Sequence, residues 1–132
     1  MDLFFDTSAI VPLFFEEKHT RKAVSMWNQS TSVFAWKWLK LEAESTLARR
    51  NASSDIWKKW NQHSTSFNWL DLSSESFNEI SIFNRTLRLR AADAGHLFTF
   101  FKTIKTMPSL VLVSFDKEQV RAAKLLGLPI LN

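Results

Sequence analysis

The sequence contains no cysteine. Disulfides, thiolate catalysis and cysteine-ligated zinc are therefore excluded, and the chain suits a reducing compartment such as the cytoplasm. Glycine is almost as scarce, with Gly95 and Gly127 alone. A glycine-rich phosphate loop or a dinucleotide fingerprint cannot be built from these two. No uncharged apolar stretch approaches the ~18 residues of a membrane span, so none is expected. The opening run Leu3-Phe4-Phe5 lies between Asp2 and Asp6 with no basic segment before it. It reads as a buried strand rather than a signal peptide.

What is present is the makings of one domain spanning residues 1–132. The chain is 45% hydrophobic, enough for a real core. Lys and Arg number 17 against 13 Asp and Glu, for a net charge of +4. That balance leans towards a polyanionic partner.

Leu3–Phe5 ends at Asp6-Thr7-Ser8, all helix N-cap types, and Ala9 to Phe15 reads as a first helix with Pro12 near its start. A second helix is expected from about Lys18 to Asn28, then a short strand at Val33-Phe34 and a helix from about Trp36 to Arg50. Asp55 to His63 reads as a Trp-rich amphipathic helix and Asn68 to Leu72 as a strand. Ser73 is expected to cap a helix running to about Asn84. Ala91 to Lys105 has an apolar stripe of Ala94, Leu97, Phe98, Phe101 and Ile104. Leu110 to Phe115 is a continuous apolar strand of the parallel-sheet kind. Asp116 opens a helix that Gly127 closes, and Leu128 to Leu131 is a final strand. Strands alternating with helices predict an α/β fold: a mainly parallel sheet of four or five strands with helices on both faces.

In open α/β sheets, ligand sites form at the carboxyl ends of the strands. Asp6 follows the first strand and Asp116 follows Leu110–Phe115. Glu42 and Asp93 fall on helices. Carboxylates from separate elements repel unless a cation joins them, and hard divalent cations take oxygen ligands. Each acid also has a structural reading. Asp6 stands where an N-cap would. Asp116 has Gln119 three residues on, the spacing of a capping box. Asp93 lies in a first helical turn, where the macrodipole favours an acid. Glu42 competes with Glu44. On a helix Glu44 shares a face with Lys37 and Lys40, a solvated, salt-paired face. Glu42 instead points with Ala35, Trp38, Thr46 and Arg49.

Four segments together resemble the PIN-domain family, and within it the VapC toxins of bacterial and archaeal toxin–antitoxin pairs. They are Phe4-Phe5-Asp6-Thr7-Ser8-Ala9-Ile10-Val11-Pro12-Leu13-Phe14, Leu41-Glu42-Ala43-Glu44-Ser45-Thr46-Leu47-Ala48-Arg49-Arg50, Leu89-Arg90-Ala91-Ala92-Asp93-Ala94-Gly95-His96-Leu97, and Leu112-Val113-Ser114-Phe115-Asp116-Lys117 with Ala122 to Pro129. In the second, the family places Leu five and Arg seven residues after its acid; Glu42 satisfies this through Leu47 and Arg49, and Glu44 does not. Residues 53 to 88 match weakly. The resemblance implies a PIN-like three-layer sandwich and an endoribonuclease that hydrolyses RNA phosphodiesters. It implies Mg²⁺ or Mn²⁺ held by Asp6, Glu42, Asp93 and Asp116, with Thr7, Ser8 and Ser114 in support. It also implies a cognate antitoxin as partner and a homodimer. Two departures stand out. Gly95 replaces a bulky residue and is expected to loosen the Asp93 helix. Ser114 replaces a common Thr but keeps the hydroxyl.

Thr7 or Ser8 is expected to cap the first helix, the other to bond a metal-bound water. His96 reads as a packed residue. Arg49, Arg50, Lys58 and Lys59 form one basic group and Arg85, Arg88 and Arg90 a second: each is either a solvated face or a phosphate track. Trp57, Trp60, Trp69 and Phe67, interleaved with the first group, read as core, with base stacking or antitoxin contact as the sharper alternative. The rival function is a noncatalytic RNA- or protein-binding module of the same fold. A receiver-like phosphoacceptor is disfavoured, since Asp2 is the available second acid and its spacing is wrong.

Overall fold

Leu3, Phe4 and Phe5 have no exposed surface because their strand is the middle of the sheet. In the computed structural model, which describes residues 1–132, β1 (Asp2–Phe5) lies between β2 (Ser32–Trp36) and β4 (Val111–Val113). The edges are β3 (Phe67–Leu70) and β5 (Ile130–Leu131), giving the order β3-β2-β1-β4-β5 with every pairing parallel. Phe4 sits opposite Phe34 on one side and Leu112 on the other. A strand paired at both edges and covered on both faces has no polar side, hence its unbroken apolar run.

Successive side chains alternate between two cores. Leu3, Phe5 and Val113 pack with Leu39, Leu47 and Trp60. Phe4 and Leu112 pack with Leu97, Phe100 and Ala123. The first core is covered by α1 (Thr7–Ile10), the 3-10 turn Val11–Leu13, α2 (Thr20–Gln29), α3 (Trp38–Arg49) and α4 (Ser54–Ser64). The second is covered by α5 (Ser76–Leu87), α6 (Ala91–Thr103) and α7 (Lys117–Leu125). The result is a three-layer α/β sandwich, and its element order is the expected one.

Several boundaries differ, each for a local reason. The first helix begins at Thr7 and tightens after Ile10 into the 3-10 turn that holds Pro12. The third helix begins at Trp38, so Ala35 belongs to β2. Ser73 does not cap α5; it shares a hydroxyl pair with Ser76, and the helix starts there and runs on to Leu87. That helix ends on Arg88 in the left-handed region at φ 58°, and Asn84 clasps the backbone N–H and C=O of Leu89 beyond it. α6 is buried on every residue from Ala94 to Phe100, not on one stripe, because it is wedged between the sheet and the helices beside it. Gly127, at φ +68°, closes α7 as expected.

The chain lays β1, β2 and β3 outward in one direction and then crosses to the other side of β1 for β4. The strand order therefore reverses between β1 and β4. At such a point the loops leave in opposite directions and open a crevice at the carboxyl ends. Strand β4 stops early to feed it. Ser114 still donates its N–H to the Leu131 carbonyl at 3.2 Å, but Phe115 leaves the ladder and its N–H is taken by the Ser8 hydroxyl at 2.9 Å. No helix is long and apolar enough to cross a membrane.

Candidate active site

All four sequence-singled acids come to this crevice. Asp6 leaves the end of β1, and Asp116 stands three residues past β4. Glu42 is on α3, the helix after β2, and Asp93 is in the first turn of α6. Their charges act on one another: Asp116, Asp6 and Glu42 all push the Asp93 carboxyl upward.

Asp6 is 1% exposed. Its backbone has N-cap conformation, but its side chain caps nothing. The Ser8 hydroxyl donates to Oδ1 at 2.6 Å, and the Ser114 hydroxyl donates to Oδ2 in a short bond. The two serine hydroxyls are themselves 3.3 Å apart. Burial drives the Asp6 carboxyl above its ordinary range, outweighing the two serine bonds and the nearby His96; Asp116 adds to the rise. An isolated carboxylate out of water is costly, and two hydroxyl donors offset only part of that.

Glu42 is held differently. Thr7 donates to its Oε1 at 2.7 Å, and His96 Nε2 donates to the same oxygen at 2.6 Å. Burial raises the Glu42 carboxyl, but the His96 hydrogen bond and charge and the Thr7 bond prevail, and it lies below the ordinary range. Neither Thr7 nor Ser8 caps α1, contrary to expectation, because both hydroxyls are spent on acids. His96 is packed as expected, 1% exposed and edge-on to Trp36. It is also the partner of Glu42, a role the sequence reading missed. The available signal was spacing: His96 is three residues from Asp93, one helical turn along the same face. Glu44 meets Lys40 at 2.8 Å on the solvated face and accepts from Trp60 Nε1 at 3.1 Å. Lys37 pairs instead with Asp71 at 3.9 Å.

Asp116 does cap α7, accepting from the Gln119 N–H at 2.9 Å. The reciprocal half of a capping box is absent. Gln119, fully buried, sends its Nε2 to the Asp93 carbonyl at 3.0 Å, while the Asp116 N–H goes to Ser114 Oγ at 3.2 Å. Gln119 thereby ties the helix of Asp93 to the cap of Asp116, and its Oε1 is left as a buried acceptor with no partner. The Asp93 carboxylate takes none of the hydrogen bonds that occupy the other three. Burial, then Asp116 and Asp6, push it up to about 6; His96 opposes and Glu42 adds.

This donor set suits a hard divalent cation: carboxylate oxygens that repel one another, two of them, on Asp6 and Asp93, displaced towards protonation first by burial and then by neighbouring carboxylates. As they stand, no three Asp, Glu or His side chains form a preformed ligand shell. The present oxygens face serine, threonine, histidine and backbone donors instead.

Gly95 does not loosen α6. The Trp36 ring lies on it so closely that a Cβ would come within 2.2 Å of Cζ3. The glycine lets the helix and β2 approach, and it seats the ring that buttresses His96.

The basic residues divide. Arg49, Lys58, Arg88 and Arg90 are exposed, and Arg90 directly precedes α6, three residues from Asp93. Arg50 pairs with Glu17 at 3.2 Å and lies over Phe15. Lys59 donates to the Leu13 carbonyl at 2.7 Å. Trp60 has no exposed surface and Trp69 stacks on Phe67, so these aromatics are core as their default reading held. Base stacking is closed to Trp60.

The fold resembles that in the crystal structure of PAE2754 from Pyrobaculum aerophilum, with a TM-score of 0.61 and 19% identity over 98% of this chain and 83% of that one. At that identity the likeness speaks for the fold alone. No protein-family model matches the chain, and no curated protein does.

Proposed function

We propose that this chain is a Mg²⁺- or Mn²⁺-dependent endoribonuclease of the PIN-domain family, a VapC-type toxin acting in the cytoplasm and restrained by a cognate antitoxin. The observation that carries this reading is the convergence of Asp6, Glu42, Asp93 and Asp116, from four separate elements, on the crevice where the strand order reverses. Burial, with the repulsion of Asp116 and Asp6 added to it, lifts the Asp93 carboxyl to about 6. A cation bound there would supply Lewis-acid chemistry at a phosphodiester.

The residues have distinct tasks in this reading. Asp6, Glu42, Asp93 and Asp116 hold the cation. Ser8 and Ser114 aim the Asp6 carboxylate, and Thr7 and His96 aim that of Glu42. Asp93, whose carboxylate takes no protein hydrogen bond, is the acid best placed to meet an incoming ion. The exposed Arg49, Lys58, Arg88 and Arg90 offer phosphate contacts, which position RNA without reading its sequence.

One observation favours a second reading, a noncatalytic RNA- or protein-binding module: both Asp6 oxygens and the Oε1 of Glu42 are already engaged by protein donors. The two separate in one experiment. Purified protein is incubated with total RNA and Mg²⁺ or Mn²⁺, beside Asp6→Asn, with Mn²⁺ binding followed by calorimetry. Discrete cleavage abolished by EDTA and by the variant is expected. Intact RNA with no bound Mn²⁺ overturns the nuclease and leaves the binding module.

A further inference from the structure

The segment that carries Asp116 to the acidic site also lines a second, cationic pocket that the proposed chemistry does not use. Phe115 and Lys117, the residues on either side of Asp116, line it together with Lys18, His19 and Lys22 from the start of α2. Its volume is about 250 Å³. Pocket and site are tied through one atom: Ser8 Oγ accepts the Phe115 N–H at 2.9 Å and donates to Asp6 Oδ1 at 2.6 Å. The pocket therefore keeps a fixed place beside the acids.

Its charge is of one sign. Three lysines and no acidic side chain line it. All three are exposed, and none enters the ion pairs that occupy Lys37, Lys40, Arg50, Lys102 and Arg121 elsewhere. Lys22 reaches the backbone oxygen of Asn132 at 3.4 Å, a weak contact. Glu16 and Glu17 line the depression next to it, where Arg50 takes Glu17 at 3.2 Å. Cations gathered without counter-ions draw in an anion. The floor of the pocket is aromatic. His19 and Phe115 stack with ring centroids 4.8 Å apart and planes 22° from parallel, and both are only partly buried. An acidic peptide would use the lysines and gain nothing from the rings. A nucleotide uses both, phosphate to ammonium and base to ring.

Topology sets the pocket in line with the acids. It lies at the carboxyl end of the sheet, since Lys117 follows β4 and Asn132 follows β5. Helix α2 belongs to the layer over the first core, and α6, which Arg90 precedes, to the layer over the second. Asp6 and Asp116 stand between the two layers, past the ends of β1 and β4. A strand laid from Lys18 and Lys22 to Arg90 crosses them.

We propose that Lys18, Lys22, Lys117 and the His19–Phe115 stack form a nucleotide subsite that holds one unpaired nucleotide of an RNA strand beside the acidic site. The lysines take its phosphate and the rings its base. A base inside a duplex cannot reach the rings, so the subsite selects an unpaired strand. The inference rests on the proposed function only in taking RNA as the ligand; holding the strand needs neither a cation nor cleavage. The basic groups visible in the sequence do not include this one, because its lysines come from two segments far apart in the chain.

The test is fluorescence anisotropy of a short labelled oligouridylate in EDTA, where nothing is cut, over a series of salt concentrations. Lys18→Ala, Lys22→Ala and Lys117→Ala are each expected to weaken binding and to flatten the slope of log affinity against log salt by about 0.7, the value for one phosphate contact on a single strand. His19→Ala is expected to weaken binding about 5-fold or more at unchanged slope, and His19→Phe, which restores a flat ring, to recover it. Binding of the duplex with oligoadenylate is expected not to respond to His19→Ala. Circular dichroism checks that each variant folds. A wild type that binds no RNA, or lysine variants that leave affinity and slope unchanged, overturn the subsite. Lysine variants that weaken binding beside a His19→Ala that does not overturn the nucleotide assignment, and displacement of the RNA by polyglutamate then points to an acidic peptide. The full expected pattern in a protein that never cuts RNA with Mg²⁺ or Mn²⁺ supports the subsite and overturns the nuclease alone.

Discussion

His96 and Glu42, 54 residues apart, are joined by a 2.6 Å hydrogen bond between Nε2 and Oε1. The imidazole is itself pinned by Trp36, whose ring lies on Gly95 in the turn before it. Outer partners of this kind fix the direction of a carboxylate and commonly change metal affinity or activity about 10- to 100-fold when removed. His96→Ala is therefore expected to weaken Mn²⁺ binding by about that factor, read by calorimetry, and His96→Gln to recover part of it. An Ala variant that binds Mn²⁺ like wild type would remove the positioning role.

Asp93 has its carboxyl raised from 3.8 to about 6. A raised carboxyl binds its proton more tightly in the folded chain than in the unfolded one. Its contribution to stability is full below about pH 4 and is lost as pH rises through about 6. Asp6, Asp116, Glu42 and His96 all act on the same group, and His63, lowered by burial, works in the opposite direction over part of this window. The comparison with Asp93→Asn isolates the effect. In EDTA the variant's Tm advantage over wild type is expected to grow between about pH 4 and 6 and level off above. Adding Mg²⁺ above pH 6 is expected to raise the Tm of wild type more than that of the variant. An advantage independent of pH would contradict the assignment.

Gly95→Ala sets two effects against each other. Alanine is about 1 kcal/mol better than glycine inside a helix. The added methyl would meet the Trp36 ring at 2.2 and 2.4 Å, and overpacking of this kind costs about 1–3 kcal/mol. The second is expected to win, lowering the midpoint of urea unfolding without changing its slope. A stabilised variant would mean that Trp36 moves freely.

Two basic residues that look alike in sequence are expected to behave differently. Arg90 is exposed beside the Asp93 turn, so Arg90→Ala should lower RNA affinity across sequences and reduce the salt dependence of binding by about one counterion. Lys59 bonds the Leu13 carbonyl and lies over Phe14, so Lys59→Ala should lower Tm and leave the salt slope unchanged. The reverse pattern would place the phosphate track at α4.

The alternation of strands and helices was legible because Leu3–Phe5 and Leu110–Val113 are too apolar for a half-exposed strand and are bounded by Asp and Ser. Boundaries were less so. The end of β4 is decided by a partner far away in sequence, the Ser8 hydroxyl that takes the Phe115 N–H, and the start of α5 by the hydroxyl pair of Ser73 and Ser76, which a capping pattern does not distinguish from a cap. Among the acids, helical angle and spacing separated Glu42 from Glu44, because both residues sit on one continuous helix. The same reasoning could not show that Asp6 spends its oxygens on Ser8 and Ser114, since a residue in N-cap conformation ordinarily serves its own helix.

The amino-acid sequence by itself determined the α/β class, the parallel sheet and the positions of the four acids, because periodicity and strand-end placement are local properties of the chain. Tertiary structure alone decided which groups surround those acids. His96, Gln119 and Ser114 reach Glu42, Asp93 and Asp6 from other elements across 54, 26 and 108 positions. It also decided that Gly95 serves Trp36 and that His19 and Phe115 line one pocket. Such pairings depend on how helices cross the sheet, and spacing along one segment carries no record of that.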